Sequence, residues 1–328
     1  MRRQGDPGFG VFAHPPFAIT IDTTSRYDDG SREVAMELRT KPLHENFGLE
    51  VLDVDLARLE PSTFDAIYRL WRRDPLLLFR RQNITEDELV AYSRGFGELE
   101  VTVRGEMHSP KHPEVIYVSP LKRPDGSTLG GLGSSELVWH TDQIYRQRPA
   151  TGSVFHGTEM PEGAGDTSFC NMALAYAALP DDLRAQVEGK RAHCKYGQKW
   201  SPSFQDLLDE KQVEAIHDRT PPVTHEMVLD IPGTDARTLY VSPNHTFAID
   251  GMADDDGRAL LDALLAHALR DRFIYTHRWR NGDLVMWDNG RLLHRRAPFD
   301  GALPRFAKRT TIFLRPEHFA VPAACAGL

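Results

Sequence analysis

The segment His140-Thr141-Asp142, taken with His294 far downstream, constrains this chain more than any other feature. In an extended strand alternate side chains share a face, so His140 and Asp142 project to one side and Thr141 to the other. Two ligands on one strand need a third from elsewhere. The stretch Trp287-Asp288-Asn289-Gly290-Arg291-Leu292-Leu293-His294 offers it. The fold must then bring two remote segments to one point. Two histidines and a carboxylate on one face of an ion leave the opposite positions open. That suits a non-haem Fe(II) that takes a co-substrate and dioxygen together.

The chain has 328 residues and a formal net charge of −8. This length fits either two domains or one β-rich domain. A hydrophobic share of 41% supports a sizeable core. The acidic balance argues against a general nucleic-acid binder but leaves room for a local basic pocket. Cys170, Cys194 and Cys325 form no C-x-x-C pair, so they read as reduced thiols in the cytoplasm. The N-terminus lacks a signal-peptide pattern, and no run approaches the ~20 apolar residues of a membrane span.

Residues 1–37 are rich in Pro, Gly, Asp and Arg and read as an N-terminal arm. From about Leu38 to residue 316 the pattern predicts one catalytic domain, with a tail over 317–328. Phe47 to Val54 reads as a strand. Ser62-Thr63-Phe64-Asp65 resembles a capping box, and Asp74-Pro75 ends the helix it opens. Leu76-Leu77-Leu78-Phe79 reads as a short buried strand, and Thr85-Glu86-Asp87-Glu88 as a second capping box. Residues 121–135 carry four glycines and read as a flexible loop or hairpin tip. Residues 195–222 are polar and partly helical, a natural lid. The clearest helix covers 254–270. Strands follow at 273–280 and 284–287, joined by the Asn281-Gly282 turn, and at 309–314.

These residues together resemble the taurine dioxygenase-like (TauD/TfdA) family of Fe(II)/2-oxoglutarate-dependent dioxygenases. The likeness runs from about residue 44 to 315. It rests on Phe47-Gly48-Leu49-Glu50, Phe96-Gly97-Glu98-Leu99, Trp139-His140-Thr141-Asp142, Gly165-Asp166-Thr167, Gly282-Asp283, Trp287-Asp288-Asn289, His294, Arg305 and Arg309. A lone H-x-D is weak; the ordered set is strong. The resemblance implies a mainly β fold with flanking helices, a double-stranded β-helix or cupin-like jelly roll. It implies iron held by His140, Asp142 and His294, and the distal carboxylate of 2-oxoglutarate held by Thr167 and Arg305. It also implies O2 as co-substrate, succinate and CO2 as co-products, and hydroxylation of an unactivated carbon. The carboxylate of Asp142 separates the chain from related halogenases, which carry a small residue there. Relatives are often dimers or tetramers, so a homo-oligomer is implied by analogy.

The residues support this independently. Arginine pairs with a planar carboxylate through two hydrogen bonds. Arg305 and Arg309 are an even step apart, so a regular strand would point both inward. Two inward guanidinium groups need two anions. One is 2-oxoglutarate; the other would be a small anionic substrate, with Arg309 as its partner. The histidine that meets the sulfonate in taurine dioxygenase aligns near Val103, with His108 close by. His108, Tyr145 and Asn244 are the further pocket candidates. Arg295-Arg296 reads as a solvated face, and His156, His193, His225, His245 and His277 as surface or hydrogen-bonded histidines. Desaturation, cyclisation or oxidative cleavage at the same iron is an alternative outcome. A metal- and 2-oxoglutarate-binding sensor or scaffold is the alternative from another class.

Overall fold

Leu76-Leu77-Leu78-Phe79 is apolar at every position because both faces of its strand are covered. In the computed structural model, which describes residues 37–102, 105–196, 214–215, 218 and 220–323, this segment is strand β3 (Leu76–Phe79) of an eight-stranded sheet. That sheet also holds β1 (Thr40–Pro42), β2 (Leu49–Val51), β4 (Gly97–Leu99) and β5 (Val115–Val118). Its longer members are β7 (Gly152–Glu159), β15 (Asp283–Asp288) and β17 (Phe306–Leu314). A four-stranded sheet is formed by β6 (Leu137–His140), β8 (Thr167–Asn171), β14 (Ile274–His277) and β16 (Leu292–Arg296) in the order β14-β8-β16-β6.

Alternation divides the large sheet into two cores. Leu77, Phe79, Leu284 and Met286 pack on one side with Ile67, Trp71 and Leu89, from helices α1 (Pro61–Arg73) and α2 (Glu86–Arg94). Leu76, Leu78, Val285 and Trp287 pack on the other with Phe169 and Leu292 of the small sheet. The small sheet's far face, including Cys170 and Leu293, is covered by Leu260, Leu261 and Leu264 of a long helix, Asp254–Ala268. The space between the two sheets therefore holds whatever polar groups β6, β8, β16 and β17 turn inward.

The helix starts show two local mechanisms. Thr85 caps α2 in a true capping box: its hydroxyl accepts the Glu88 N–H at 3.2 Å, and the Glu88 carboxylate accepts the Thr85 N–H at 2.7 Å. The box expected at residue 62 does not form. The helix starts earlier, at Pro61, with Glu60 before it and no side-chain cap. Proline is pre-set for the first helical position, so it takes that role ahead of Ser62. The strand expected over 47–54 shrinks to β2, and the one over 273–280 begins as a 3-10 turn.

The expected arm lies outside the described residues apart from Glu37, as do Val103 and most of the expected lid. Part of the expected tail joins the core: Phe319, Ala320 and Pro322 are buried, whereas Glu317 and Ala323 are exposed. Phe319 is 1% exposed and packs edge-on to Trp71 at 5.3 Å. Among the described residues no helix is long and apolar enough to cross a membrane.

Arg291 locks α1 to the turn that precedes His294. Its guanidinium donates to the carbonyls of Trp71 (2.8 Å) and Arg72 (3.1 Å), the free C-terminal acceptors of the helix, and to the Asp288 carboxylate at 2.7 Å. Arg291→Met would leave Asp288 buried without its counter-charge. We expect it to cost about 3–5 kcal/mol in urea unfolding; a loss below about 1 kcal/mol would contradict this lock.

Candidate metal centre

The register of two strands sets the centre. His294 of β16 lies directly opposite His140, the last residue of β6. Their rings approach to 4.1 Å between centroids. His140 Nε2 is 3.9 Å from Asp142 Oδ1, and His294 Nε2 is 3.8 Å from Asp142 Oδ2. One potential ligand atom from each of the three residues falls within 4.8 Å of the others. The Val138 carbonyl can only accept, so the His140 Nδ1–H donates to it at 2.7 Å and Nε2 keeps its lone pair facing Asp142. Trp287 and Phe169 wall the His294 ring at 5.0 and 6.2 Å.

Asn289 ties the two segments together. Its carbonyl accepts the Thr141 hydroxyl at 2.6 Å, and its side-chain oxygen accepts the Asp142 N–H (3.3 Å) and the Trp287 indole N–H (2.9 Å). Its amide donates to Ser153 Oγ at 3.1 Å, and that hydroxyl donates to Asp142 Oδ2 at 3.1 Å. Thr141, which points away from the ion site, thus anchors the strand end. The sequence shows Asn289 only as part of the Trp287-Asp288-Asn289 motif, and Ser153 lies in a β7 segment that carries no motif.

Charge favours metal ligation over protonation. Burial alone would push the Asp142 carboxyl up, but Arg309, His294 and His140 outweigh it and hold it well below the usual carboxylate range. Of these, Arg309 acts most strongly; its Nη1 lies 3.2 Å from both carboxylate oxygens. Burial pushes both imidazoles down, His294 far down. The site therefore offers two neutral imidazoles and one carboxylate, the nitrogen and oxygen donors a ferrous ion takes with open positions left over.

Beyond the triad, one cavity of about 140 Å³ is lined by Thr167, Arg305, Arg309, Tyr145 and Asn244 as well as by the triad itself. Arg305 is 1% exposed, and its Nε and Nη1 have no hydrogen-bond partner among the described residues. Burial, with Arg296 nearby, pushes its guanidinium down to about 9. The rings of Phe155 and Phe299 lie 5.7 and 5.5 Å from it. Gly165, at φ +68°, lies so close that an added Cβ would sit 3.4 Å from Arg305 Nε. A buried guanidinium with donors unmet fits a planar carboxylate such as the remote end of 2-oxoglutarate. Thr167 Oγ1 accepts the Trp279 indole N–H at 2.9 Å, which leaves the threonine's own proton to donate.

Three expectations change. His108 is absent from the cavity lining; its Nε2 donates to the Thr102 carbonyl at 3.1 Å, and Thr102 and Met107 line the cavity in its neighbourhood. Arg296 is no solvated residue: it is 4% exposed and lines the cavity, whereas Arg295 points away toward Trp139. Strand alternation explains the split, because Leu292, His294 and Arg296 share the inner face. His245, read as an ordinary histidine, also lines the cavity, packing on Tyr145 at 5.0 Å with its imidazole pushed down to about 3 by burial. The even spacing from His294 would have revealed Arg296; nothing local to residue 245 signals its position.

An imidazole held below 6.5 keeps its lone pair as the pH falls through that value, so protons do not compete with the metal there. Titration with Co(II) at about pH 7.5 and about pH 6 should give similar affinities. A weakening of about tenfold or more, as two ordinary histidines would produce between those pH values, would contradict the geometry.

The chain matches the family described as taurine catabolism dioxygenase TauD, TfdA family over residues 39–311. It is 34% identical over 287 residues to the alpha-ketoglutarate-dependent 2,4-dichlorophenoxyacetate dioxygenase of Cupriavidus pinatubonensis, covering 84% of this chain and 98% of that protein. It is 32% identical over 270 residues to the (S)-phenoxypropionate/alpha-ketoglutarate-dioxygenase of Sphingobium herbicidovorans, covering 79% and 89%. The crystal structure of a taurine dioxygenase from Burkholderia xenovorans superposes with a TM-score of 0.68 at 31% identity, covering 89% of this chain and 98% of that one. Two packed sheets of mostly antiparallel strands with few helices are the jelly-roll arrangement of that group. The chain belongs to the TauD/TfdA family of Fe(II)- and 2-oxoglutarate-dependent dioxygenases.

Proposed function

We propose that this enzyme hydroxylates an unactivated carbon of a small anionic molecule. The carrying observation is the charge of the cavity. Among the described residues three guanidinium groups, Arg296, Arg305 and Arg309, line it with one carboxylate, Asp142. A ferrous ion would add two positive charges and dianionic 2-oxoglutarate would remove two. A net positive cavity remains, and a second anion is what balances it. Relatives named for phenoxyacetate and phenoxypropionate substrates support the same direction.

In this reading His140, Asp142 and His294 hold the iron, and Thr167 and Arg305 hold the distal carboxylate of 2-oxoglutarate. When bound, the iron and co-substrate supply oxidative decarboxylation to succinate and CO2 coupled to C–H hydroxylation. The chain's own residues bind, orient and exclude water. Arg309 holds the Asp142 carboxylate through Nη1, while its Nε is buried without a partner among the described residues and is free for a substrate anion. Tyr145, Tyr196 and His245 form an aromatic wall, with Tyr145 and Tyr196 4.8 Å apart edge-on, and Asn244 lies beside it. Such a wall accepts an apolar substrate body. One catalytic domain over 38–316 carries this chemistry. The buried thiols of Cys170 and Cys194, unpaired here, fit a reducing cytoplasm.

The test is succinate release from 2-oxoglutarate under Fe(II) and air with a panel of small carboxylates and sulfonates, read by mass spectrometry for a gain of one oxygen. No stimulation by any anion, with stimulation by neutral or cationic compounds, would refute the substrate class. Arg309→Gln should raise KM for the anionic substrate about 10–100-fold and move the 2-oxoglutarate affinity far less. An unchanged KM would remove Arg309 from the substrate site.

A further inference from the structure

Arg296 has no assigned task, yet its position is expensive. It sits two residues beyond His294 on the inner face of β16, opposite Thr167 of β8. Its Nη2 donates to the carbonyls of Leu132 (2.9 Å) and Ser135, both in the 121–136 loop. Its Nε and Nη1 are buried with no partner among the described residues. The guanidinium lies 5.1 Å from the centre of the Phe299 ring, the same ring that Arg305 approaches to 5.5 Å. The one carboxylate that lines the cavity among the described residues, Asp142, is already engaged by Arg309. Two dry like charges thus share one end of the cavity, with no carboxylate of the described residues lining it between them.

We propose that Arg296 is a second guanidinium for the distal carboxylate of 2-oxoglutarate, and that it couples occupancy of that end to the ordering of the 121–136 loop. The inference rests on the reading that Thr167 and Arg305 mark the carboxylate end. A carboxylate has two oxygens and four acceptor positions, enough for a hydrogen bond from each arginine and one from the Thr167 hydroxyl. Neutralising the pair removes their mutual repulsion and holds Arg296 where its Nη2 meets the loop carbonyls. The loop in turn bears on the cavity: Leu132 lines it, and the Ser134 carbonyl accepts the Phe299 N–H at 3.0 Å. Co-substrate binding would then draw the loop over the site before the substrate reacts.

The experiment compares the full chain with Arg296→Gln, Arg296→Lys and Arg305→Gln. Each is loaded anaerobically with Fe(II) and titrated with 2-oxoglutarate, with hydrogen exchange followed across residues 121–136. Fe(II) affinity, measured first, reports that each variant is folded at the site. Arg296→Gln should weaken 2-oxoglutarate roughly tenfold or more and abolish the protection that 2-oxoglutarate confers on the loop. Arg296→Lys keeps the charge but cannot fork between loop and carboxylate, so it should retain part of the affinity and lose the protection. If Arg296→Gln is not folded, the lysine variant decides. Unchanged affinity or undiminished loop protection in the Arg296 variants, with affinity lost in Arg305→Gln, overturns the Arg296 assignment alone. Unchanged affinity in Arg305→Gln as well overturns the carboxylate end, and this inference with it.

Discussion

The antiparallel pairing of β6 with β16, in the register that faces His140 with His294, is the contact on which the site depends. A slip of one residue between them would turn one of the two imidazoles out of the sandwich, because side-chain direction reverses at every step. Two devices guard the register. The large sheet and the helix Asp254–Ala268 cover the small sheet on both sides, so a slip of β16 would drive His294 and Arg296 into the apolar layer beneath the helix. Asn289 then joins the turn before β16 to the end of β6 through Thr141 and Asp142. The metal site is thus built on ladder hydrogen bonds and buried polar links, whose removal would leave unsatisfied groups in a dry interior.

That dryness decides the chemistry. Water would weaken every charge interaction in the cavity, whereas burial keeps both imidazoles neutral and leaves Arg305 with unmet donors. The chain carries a net charge of −8, yet it concentrates three guanidinium groups around one carboxylate. Such a cavity is costly until anions enter, so binding energy is reserved for ligands carrying the right charge. The surface ion pairs are of another kind: exposed pairs such as Arg39 with Asp53 are screened by solvent and contribute little.

The particular elements show why some features could be read early and others not. Thr85 announced its capping box because a cap is a local contact over three residues. Leu76 to Phe79 announced a doubly buried strand because every position is apolar. Ser62 misled because Pro61, one residue earlier, competes for the same start. Arg295-Arg296 looks in the sequence like one solvated pair, yet a strand sends neighbours to opposite faces and only Arg296 turns inward. His108 failed since nearness along the chain to a matching position says nothing of which way a ring turns; it turns to the Thr102 carbonyl. Ser153 and His245 reach the site only through long-range pairing, and no neighbouring residue records it.

The order and spacing of His140, Asp142, His294, Arg305 and Arg309 were present in the linear chain, and with them the family and its reaction. Those residues are tied to chemistry that tolerates few substitutes, so their identity alone carries information. The tertiary structure decided what surrounds them: which arginine of a pair turns inward, which hydroxyl steadies Asp142, and which aromatic rings wall the cavity. These depend on strand register and on packing between segments far apart in the chain, and only the folded arrangement determines them.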